Sequence, residues 1–219
     1  MPRIARVVVP GWAHHVVQRG VRSMRVFQSD EDRRLYLRLL HEESQKAGLD
    51  FIAWCLMDNH VHFLCVPTRE DSLARAFKEG HRRYTRMVNL REGCTGHLWQ
   101  ERFHSYVVGD DAYLHAAIRY ILLNPVVAGM APRPEEWPWS SARFHLGLRN
   151  WDDLAKDNKP LGLDLDWPKL FLYWSEEEAE LIQASLSSGR PRVSPPRLKE
   201  LEALTQRNLT PKRQRGQFT

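Results

Sequence analysis

The chain of 219 residues is short of cysteine and of long hydrophobic runs. Its three cysteines, Cys55, Cys65 and Cys94, form no Cys-x-x-Cys pair and leave one over, which argues against a disulfide framework. No stretch reaches the roughly 18 to 20 apolar residues that a membrane-spanning helix needs. The first residues also lack the apolar run of a signal peptide. We therefore expect a globular, cytoplasmic protein that has no membrane partner.

Positive charge is unevenly distributed along the sequence. The chain has 32 Lys and Arg against 27 Asp and Glu, a net charge of +5. Residues 189–219 contain eight basic and two acidic residues, so the part before them is close to neutral. A basic end on a near-neutral body predicts a polyanionic partner, most often nucleic acid. A solubilising tail is the simpler alternative.

Hydrophobic periodicity and helix-capping patterns predict the fold. The pattern indicates strands over 11–19, 51–57, 60–66 and 104–108, and helices over 30–48, 71–90 and 110–124. Pro125 predicts the end of the last of these helices at Asn124, because the residue before a proline disfavours helix. This order matches an α+β fold, the ferredoxin-like split βαβ plan, with an antiparallel sheet and helices packed on one face.

The C-terminal part has a different amino-acid composition. Proline and tryptophan are frequent beyond residue 129, which predicts an irregular arm packed by aromatic side chains. Ser175 and the acidic residues after it predict a short helix that ends before Gly189. The last thirty residues contain one weak helix, over 196–204, and otherwise resemble a loose tail.

Two histidines and one helix form the candidate reactive site. Side chains alternate across a strand, so His60 and His62 lie on one face, close enough to share a cation. Tyr120 and Asn124 are four residues apart and therefore lie on one side of their helix. Asn124 adds a hard oxygen near a helix C-terminus, where the macrodipole favours a cation. Two imidazoles and one amide oxygen, with open positions left over, suit Mg²⁺ or Mn²⁺.

Tyr120 would then lie one turn from the metal, placed to attack a phosphorus atom. A phenol, with a pKa of about 10, is a better leaving group than a sugar hydroxyl, so a phosphotyrosine bond stores the energy of the cleaved diester. The cation would polarise a non-bridging oxygen of the phosphate. The simpler alternatives are a chance His-x-His pair and a helix tyrosine that is half-buried against the sheet.

The same residues carry a resemblance to a known family. Asp-Asn-His-Val-His-Phe at 58–63 resembles the His-hydrophobic-His motif of single-tyrosine transposases, and 119–125 resembles their tyrosine helix. Further matching segments are 15–20, 96–103 and 137–141. The combined pattern is specific, although each piece alone is not. The subgroup that it resembles most is the repetitive-extragenic-palindrome-associated tyrosine transposases.

This resemblance implies a metal-dependent DNA endonuclease and strand transferase that acts on single-stranded, hairpin-forming DNA as a monomer or homodimer. It implies a 5′-phosphotyrosine link to Tyr120 and a freed 3′-hydroxyl, with His60, His62 and Asn124 on the metal. One departure is His14, which stands where the subgroup has an aromatic hydroxyl near the first strand. That departure concerns the preferred DNA site and not the chemistry.

On this basis we divide the chain into a transposase domain over 1–147, a C-terminal arm over 148–188 and a basic flexible tail over 189–219. The candidate DNA-binding residues are basic or aromatic and are spread over the domain and the tail. They are Arg19, Arg75, Lys78, Arg82, Arg86, Trp99, Arg102, Arg190, Arg192, Lys212, Arg213 and Arg215.

The DNA-binding candidates fall into three groups. Four of them, from Arg75 to Arg86, form a basic stripe along the second predicted helix, which either follows a phosphate backbone or is an ordinary solvated face. Trp99 and Arg102 either contact an unpaired base and a phosphate or are a core residue and its surface neighbour. The tail segment 189–192 resembles a minor-groove hook, and 212–215 resembles a nonspecific phosphate contact.

Three other functions remain open from the sequence. If only two residues form the hairpin loop, Cys55 lies opposite His62, and a small zinc protein with a Cys-His-His site becomes an alternative. A second alternative is a DNA-binding protein that keeps the fold without catalysis. The third is an RNA-binding ferredoxin-like domain, which the residues over 104–108 disfavour because they lack the aromatic pattern of that class.

Overall fold

The structure, a computed structural model, describes residues 6–157 and 160–210. Its strands are β1 (Ala13–Arg19), β2 (Leu49–Leu56), β3 (His60–Pro67) and β4 (His104–Val108). Its helices are α1 (Asp30–Ala47), α2 (Ser72–Glu92), α3 (Asp111–Val127), α4 (Ala142–His145), α5 (Trp167–Leu170), α6 (Glu176–Ser188) and α7 (Pro195–Thr205). The strands form an antiparallel sheet in the order β2-β3-β1-β4. This arrangement confirms the predicted ferredoxin-like plan. The helices were expected on one face of the sheet, which holds for α1 and α2, whereas α3 lies on the opposite face.

Capping residues define α1 as the sequence predicts. The Ser29 hydroxyl accepts a hydrogen bond from the backbone N–H of Asp32 at 3.3 Å, and the Asp32 carboxylate accepts one from the N–H of Gln28 at 2.8 Å. Gly48 ends the helix in the left-handed conformation, with φ +65°, which costs glycine little. Ser175 caps α6 in the same way, by accepting from the N–H of Glu178.

The two faces of the sheet pack against different layers. Helices α1 and α2, the helices of the split βαβ unit, pack together on one face, where Val61 and Phe63 of β3 join their core. Helix α3 covers the opposite face, against β2, β3 and β4. Because side chains alternate along β3, His60, His62 and Leu64 face α3. The sheet thus separates the core that it forms with α1 and α2 from the layer under α3, which holds the predicted reactive residues.

Helix α3 does not end at Asn124, so that prediction is wrong. The helix includes Pro125 and ends at Val127. Proline removes one backbone donor, but the turn after it closes normally, because the N–H of Met130 donates to the carbonyl of Pro125 at 2.8 Å and Gly129 takes a φ of +67°. The packing of buried α3 side chains on the sheet therefore outweighs the local preference against helix before proline.

The start of α3 also differs in detail from the prediction. Asp110 occupies the N-cap position, but its side chain makes no capping hydrogen bond. Its carboxylate instead accepts hydrogen bonds from the backbone N–H and the hydroxyl of Ser194. The residue expected to cap the helix therefore ties the C-terminal segment to the domain.

Residues 139–141, which precede the C-terminal arm, cover the β2 edge of the sheet. The backbone N–H of Leu56 donates to the carbonyl of Trp139 at 2.8 Å, and the N–H of Ser141 donates to the carbonyl of Trp54 at 3.1 Å. An uncovered strand edge is a template for pairing with another chain. The Trp-Pro-rich segment that the sequence describes as irregular therefore protects this edge.

The β4 edge is covered by the segment that precedes α7. The backbone N–H of Arg192 donates to the carbonyl of Val107 at 2.8 Å, and its carbonyl accepts from the N–H of Gly109 at 3.1 Å. Leu201 of α7 is fully buried beside Val107. The helix expected over 196–204 is present, but the segment from 192 to 205 is packed on β4, in contrast to the loose tail predicted for it. The domain boundaries at residues 147 and 188 stay a prediction.

Candidate active site

Strand β3 places His60 and His62 on the face that α3 covers. Their ring centroids lie 4.9 Å apart. Burial lowers the pKa of His60 to about 4, and the nearby charge of Arg19 adds to this effect. Burial also holds the pKa of His62 well below its usual value. Both imidazoles are therefore neutral near pH 7, with a ring nitrogen available to bind a cation.

Asn59 fixes the tautomer of His60. The Nδ1 atom of His60 lies 2.6 Å from Oδ1 of Asn59. The amide nitrogen of Asn59 donates to the carbonyl of Ser23 at 3.2 Å, and this hydrogen bond sets the orientation of the amide. Because an amide oxygen can only accept, Nδ1 of His60 carries the proton and Nε2 keeps its lone pair.

A third histidine, His15 of β1, lies beside His62. Its Nε2 atom is 3.2 Å from Nδ1 of His62, and its Nδ1 atom is 3.1 Å from the hydroxyl of Tyr106. Burial lowers the pKa of His15 to about 3, so this ring is also neutral near pH 7. Within the described residues, Nε2 of His62 is buried and has no hydrogen-bond partner. Buried polar atoms are normally satisfied, so this nitrogen marks a place for a ligand.

Helix α3 brings Tyr120 against these histidines. The ring centroid of Tyr120 lies 5.5 Å from that of His62 and 5.8 Å from that of His15, all within one chain. Tyr120 is only 7% exposed. The indole of Trp174 stacks on it, with ring centroids 6.2 Å apart and planes 20° from parallel. The tyrosine and the imidazole pair are thus neighbours, while the role of Tyr120 as a nucleophile stays a prediction.

Asn124 follows Tyr120 by one turn of α3 and is half-buried. Because the helix continues to Val127, Asn124 lies in the last turn and its backbone carbonyl accepts from the N–H of Ala128 at 3.0 Å. The helix macrodipole acts within the last turn, so the electrostatic argument for a cation near Asn124 still holds. Its side-chain oxygen remains a candidate third ligand.

The donor atoms on this face fit Mg²⁺ or Mn²⁺ better than they fit the Cys-His-His zinc alternative. His60 has an Nε2 lone pair, Nε2 of His62 has no partner among the described residues, and an amide oxygen suits Mg²⁺ or Mn²⁺. Cys55 does pair with His62 across β2 and β3, but its thiol contacts the sulfur of Met57 at 3.7 Å, and burial strongly raises the pKa of that thiol. In the described part of the chain, no group of three His, Cys, Asp or Glu is placed to hold a metal. The Cys-His-His zinc site therefore has no support.

The C-terminal arm holds the tyrosine helix in place. Arg119, next to the tyrosine, forms an ion pair with Glu178 of α6 at 2.7 Å. Its guanidinium also lies 5.3 Å from the ring centroid of Tyr173. Together with the Trp174 stack, these contacts make residues 173–178 a cover over α3.

The predicted basic stripe on α2 is exposed but lies on the other face of the sheet. Arg82 pairs with Glu79 at 2.8 Å, and Arg75 with Asp71 at 3.5 Å. A cavity of about 830 Å³ opens between α2 and residues 94–103. The basic side chains that line it are Arg6, Lys78, Arg82, Arg86 and Arg102. Lys78, Arg82 and Arg86 of the stripe therefore border a largely apolar cavity and not only a solvated helix face, whereas Arg75 does not line it.

Trp99 is a core residue, which is the second of the two alternatives for it. It is 7% exposed, and its ring centroid lies 4.5 Å from that of His81. Arg102 is its exposed neighbour. An indole enclosed in this way has no open face on which a base can stack, so the prediction of a stacking platform at Trp99 is wrong for this conformation.

The other candidate DNA contacts lie in different places. Arg19 is exposed and pairs with His60 across β1 and β3, which puts it at the border of the candidate site. Arg190 is exposed. The guanidinium of Arg192 lies 4.8 Å from the ring centroid of Tyr113. Lys212, Arg213 and Arg215 lie outside the described residues.

Sequence reasoning missed three residues of the site. His15 and Tyr106 lie on strands β1 and β4, and Trp174 lies in the arm. His15 falls within one of the segments that carry the family resemblance, and this was the sequence signal that could have indicated its part in the site. Its proximity to His62 follows only from the pairing of β1 with β3. Nothing local marks Tyr106 or Trp174.

Comparison with known proteins agrees with this geometry. A family model described as IS200-like transposase matches residues 9–124, more than half of the chain. The chain belongs to the IS200-like transposase family. The match contains β1 to β4 and ends at Asn124, so it includes the histidines, the tyrosine and the asparagine of the candidate site. This result confirms the resemblance to single-tyrosine transposases, and it disfavours the RNA-binding alternative.

Two relatives narrow the likeness within the IS200-like family. Over 108 residues the chain is 29% identical to a REP-associated tyrosine transposase of Haemophilus influenzae, a match that spans 45% of this chain and 60% of the relative. The structure also resembles a REP-associated tyrosine transposase bound to a REP hairpin. That likeness has a TM-score of 0.59 at 16% identity and covers 76% of this chain and 96% of the other. In the described residues, no helix has the length and hydrophobicity needed to cross a membrane.

Proposed function

We propose that this IS200-like transposase is a metal-dependent endonuclease and strand transferase that acts on single-stranded DNA beside a hairpin. The position of Tyr120 carries the proposal, because its ring lies against two imidazoles of its own chain and one of these has a buried nitrogen without a partner in the described structure. The relative solved with a REP hairpin supports the choice of hairpin DNA. We propose that the protein acts as a monomer or as a homodimer.

The cation would be held by Nε2 of His60, Nε2 of His62 and the amide oxygen of Asn124. When bound, Mg²⁺ or Mn²⁺ polarises a non-bridging oxygen of the scissile phosphate. The phenolic oxygen of Tyr120 attacks the phosphorus, and the bond from phosphorus to the 3′-oxygen breaks. The phenol gives up its proton to solvent and the released 3′-oxygen takes one up, which leaves a 5′-phosphotyrosine link and a free 3′-hydroxyl.

The reverse reaction joins the stored phosphate to another 3′-hydroxyl. Because the aryl ester retains the energy of the original diester, this step needs no ATP. Arg19 lies beside His60, where a guanidinium can bind the phosphate that flanks the reacting one. Trp174 covers the tyrosine ring and keeps water from it.

The basic stripe of α2 would bind the phosphate backbone of the hairpin. Since α2 and α3 cover opposite faces of the sheet, one DNA molecule that contacts both must pass around a sheet edge. Hairpin binding and strand cleavage are therefore assigned to different faces of the domain. The C-terminal basic residues Arg190, Arg192, Lys212, Arg213 and Arg215 add phosphate contacts in this proposal.

Labelled single-stranded DNA tests the proposal directly. The full chain is incubated with end-labelled oligonucleotides that contain a hairpin, with Mg²⁺, with Mn²⁺ or with EDTA, and the products are separated on a denaturing gel. The expected result is a labelled protein band that forms only with metal and is absent from Tyr120→Phe. A metal-independent band, or a band that persists in Tyr120→Phe, contradicts the proposed chemistry.

A DNA-binding protein without catalysis is the second candidate. The observation that favours it is the burial of Tyr120, which is 7% exposed beneath Trp174. Hairpin binding by the wild-type chain, with no covalent band in either metal across a range of DNA sequences, would favour this candidate over the nuclease.

A further inference from the structure

We propose that His15 is a positioning residue for the metal site, because its Nε2 accepts the Nδ1–H that His62 must carry when Nε2 of His62 binds a cation. Tyr106 in turn contacts the other nitrogen of His15. The proposal rests on the function proposed above, because it concerns the same site. Neither residue is among those predicted to bind metal or to react.

The three side chains form a linear series of hydrogen bonds. The Tyr106 hydroxyl lies 3.1 Å from Nδ1 of His15, and Nε2 of His15 lies 3.2 Å from Nδ1 of His62. His15 and His62 are almost fully buried, and Tyr106 is 1% exposed. A neutral imidazole has one donor and one acceptor nitrogen, so the protons along this series are coupled.

Only two proton arrangements satisfy both hydrogen bonds. In the first, Nδ1–H of His62 donates to His15, and Nδ1–H of His15 donates to the Tyr106 oxygen. In the second, Tyr106 donates to His15, and Nε2–H of His15 donates to His62. The second places the remaining proton of His62 on Nε2, where it would be a buried N–H without an acceptor among the described residues. The first leaves the buried O–H of Tyr106 without an acceptor among the described residues, so each arrangement has one unpaired buried donor and the hydrogen bonds alone do not favour the first. Only the first leaves Nε2 of His62 free for a cation, so a cation bound there selects it.

The first arrangement leaves a lone pair on Nε2 of His62, as the bond to Asn59 does for His60. Each predicted histidine ligand thus has one neighbour that can accept a hydrogen bond from its Nδ1–H. Groups that hold a ligand's second nitrogen in this way orient the ring and raise its basicity, and their loss costs metal affinity.

The neighbouring His14 shows what a structural histidine looks like on the same strand. It faces away from α3, its Nδ1 lies 2.8 Å from the carbonyl of Trp12, and its Nε2 accepts from the N–H of Val9 at 3.2 Å. Both nitrogens are used by the backbone. His15 instead uses both of its nitrogens on side chains of the site, and so His14→Phe is a matched control for it.

The tautomer of His15 can be read without activity. Long-range ¹H–¹⁵N correlation spectra of the full chain, metal-free and saturated with Mg²⁺, distinguish a protonated ring nitrogen from a bare one. We expect Mg²⁺ to leave Nε2 of His62 without a proton and to place the proton of His15 on Nδ1, both in the wild-type chain and in His14→Phe. A proton on Nε2 of His15 in the Mg²⁺-bound wild-type chain overturns the proposal, whatever the fate of the nuclease.

Titration with Mn²⁺ supplies the second measurement. We expect the dissociation constant to rise about 10- to 100-fold in His15→Phe. His15→Gln keeps an acceptor oxygen near the position of Nε2 and should recover most of the affinity, although it fills the space less well than phenylalanine. His14→Phe should bind Mn²⁺ as the wild-type chain does.

The outcomes separate this inference from the proposed function. Equal Mn²⁺ affinity in His15→Phe and the wild-type chain overturns the positioning role and leaves the nuclease standing. A wild-type chain that binds no Mn²⁺ contradicts the metal site itself, and the positioning role with it. If His15→Phe does not fold, His15→Gln and the spectra of the Mg²⁺-bound wild-type chain decide, since a proton on Nε2 of His15 in those spectra contradicts the proposal.

Discussion

The two faces of the sheet bury histidines in different ways. On the α1–α2 face, His81 lies 2.9 Å from the hydroxyl of Tyr36 and stacks on Trp99, and His14 has both nitrogens bonded to backbone groups. On the α3 face, His62 keeps a buried nitrogen without a partner among the described residues. Burial alone therefore does not mark the candidate site. Nor does an unpartnered buried atom by itself, since Nε1 of Trp99 on the α1–α2 face also lacks a partner among the described residues. What distinguishes the α3 face is that the unpartnered nitrogen of His62 lies beside a second imidazole and Tyr120.

The same contrast extends to the aromatic residues of each face. Tyr36, Tyr84, Phe27 and Trp99 form a ring cluster between α1, α2 and the sheet, and the Tyr84 hydroxyl donates to the carbonyl of Val26 at 2.6 Å. On the other face, the rings that contact Tyr120 among the described residues are those of two histidines and an indole from the arm. We expect substitutions on the first face to change stability and those on the second to change chemistry.

A matched pair of tyrosine substitutions gives the largest expected difference. Tyr120→Phe should abolish the covalent protein–DNA band, because it removes the attacking oxygen, while hairpin affinity stays within a few fold. Tyr36→Phe should retain the band but lower the free energy of unfolding by about 1 to 3 kcal/mol, because it leaves the ring nitrogen of His81 without its partner. Denaturing gels and urea unfolding measure the two effects, and a covalent band in Tyr120→Phe would remove the contrast.

Trp99→Ala tests whether the loop before β4 belongs to the core. Truncating a fully packed tryptophan should cost about 3 to 5 kcal/mol of folding free energy. Trp174→Ala, on a half-buried indole, should cost less and should instead alter the rate at which the covalent band forms. A urea midpoint of Trp99→Ala close to that of the wild-type chain would contradict the assignment of Trp99 to the core.

Acid should weaken both faces alike in the metal-free protein. Burial lowers the pKa of His14 and His60 to about 4 and that of His15 and His81 to about 3. In the unfolded chain these rings take up protons below about pH 6.5, so their full contribution to stability is present above that pH and is lost as the pH falls toward 4.

Each such histidine should contribute a slope of up to about 1.4 kcal/mol per pH unit within that window. Urea unfolding at pH 7.5, 6.5 and 5.5 measures the slope. His81→Phe should make it shallower, whereas Tyr120→Phe should not. A free energy of unfolding that does not change between pH 6.5 and 5.5 would mean that these rings take up protons equally well in the folded chain.

The C-terminal basic residues give the smallest expected effect. Truncation after Thr210 removes Lys212, Arg213 and Arg215. It should weaken hairpin binding and flatten its salt dependence, because a protein that makes fewer phosphate contacts releases fewer counterions on binding. Truncation after Ser188 should in addition destabilise the domain, since it removes Arg192 from the β4 edge and Leu201 from its core. Binding measured at two salt concentrations checks both, and equal salt slopes for the wild-type chain and the shorter truncation would exclude a DNA role for these residues.

Helix and strand positions follow closely from local sequence because local chemistry specifies them. Ser29 and Gly48 bound α1 by capping geometry that involves only near neighbours. The end of α3 escapes the same reasoning, because Pro125 disfavours helix locally while the packing of the helix on the sheet maintains it. A rule based on two adjacent residues cannot weigh a contact made by the whole helix.

The sequence by itself determined the pairing of His60 with His62 and of Tyr120 with Asn124, because strand and helix periods place side chains without reference to the rest of the chain. Only the tertiary structure decided that these two pairs meet, that His15 and Tyr106 stand behind His62, and that Trp99 is enclosed. Each of those depends on strand pairings and layer contacts between residues far apart in sequence. Such contacts are set by the burial of the whole core, which no short segment encodes.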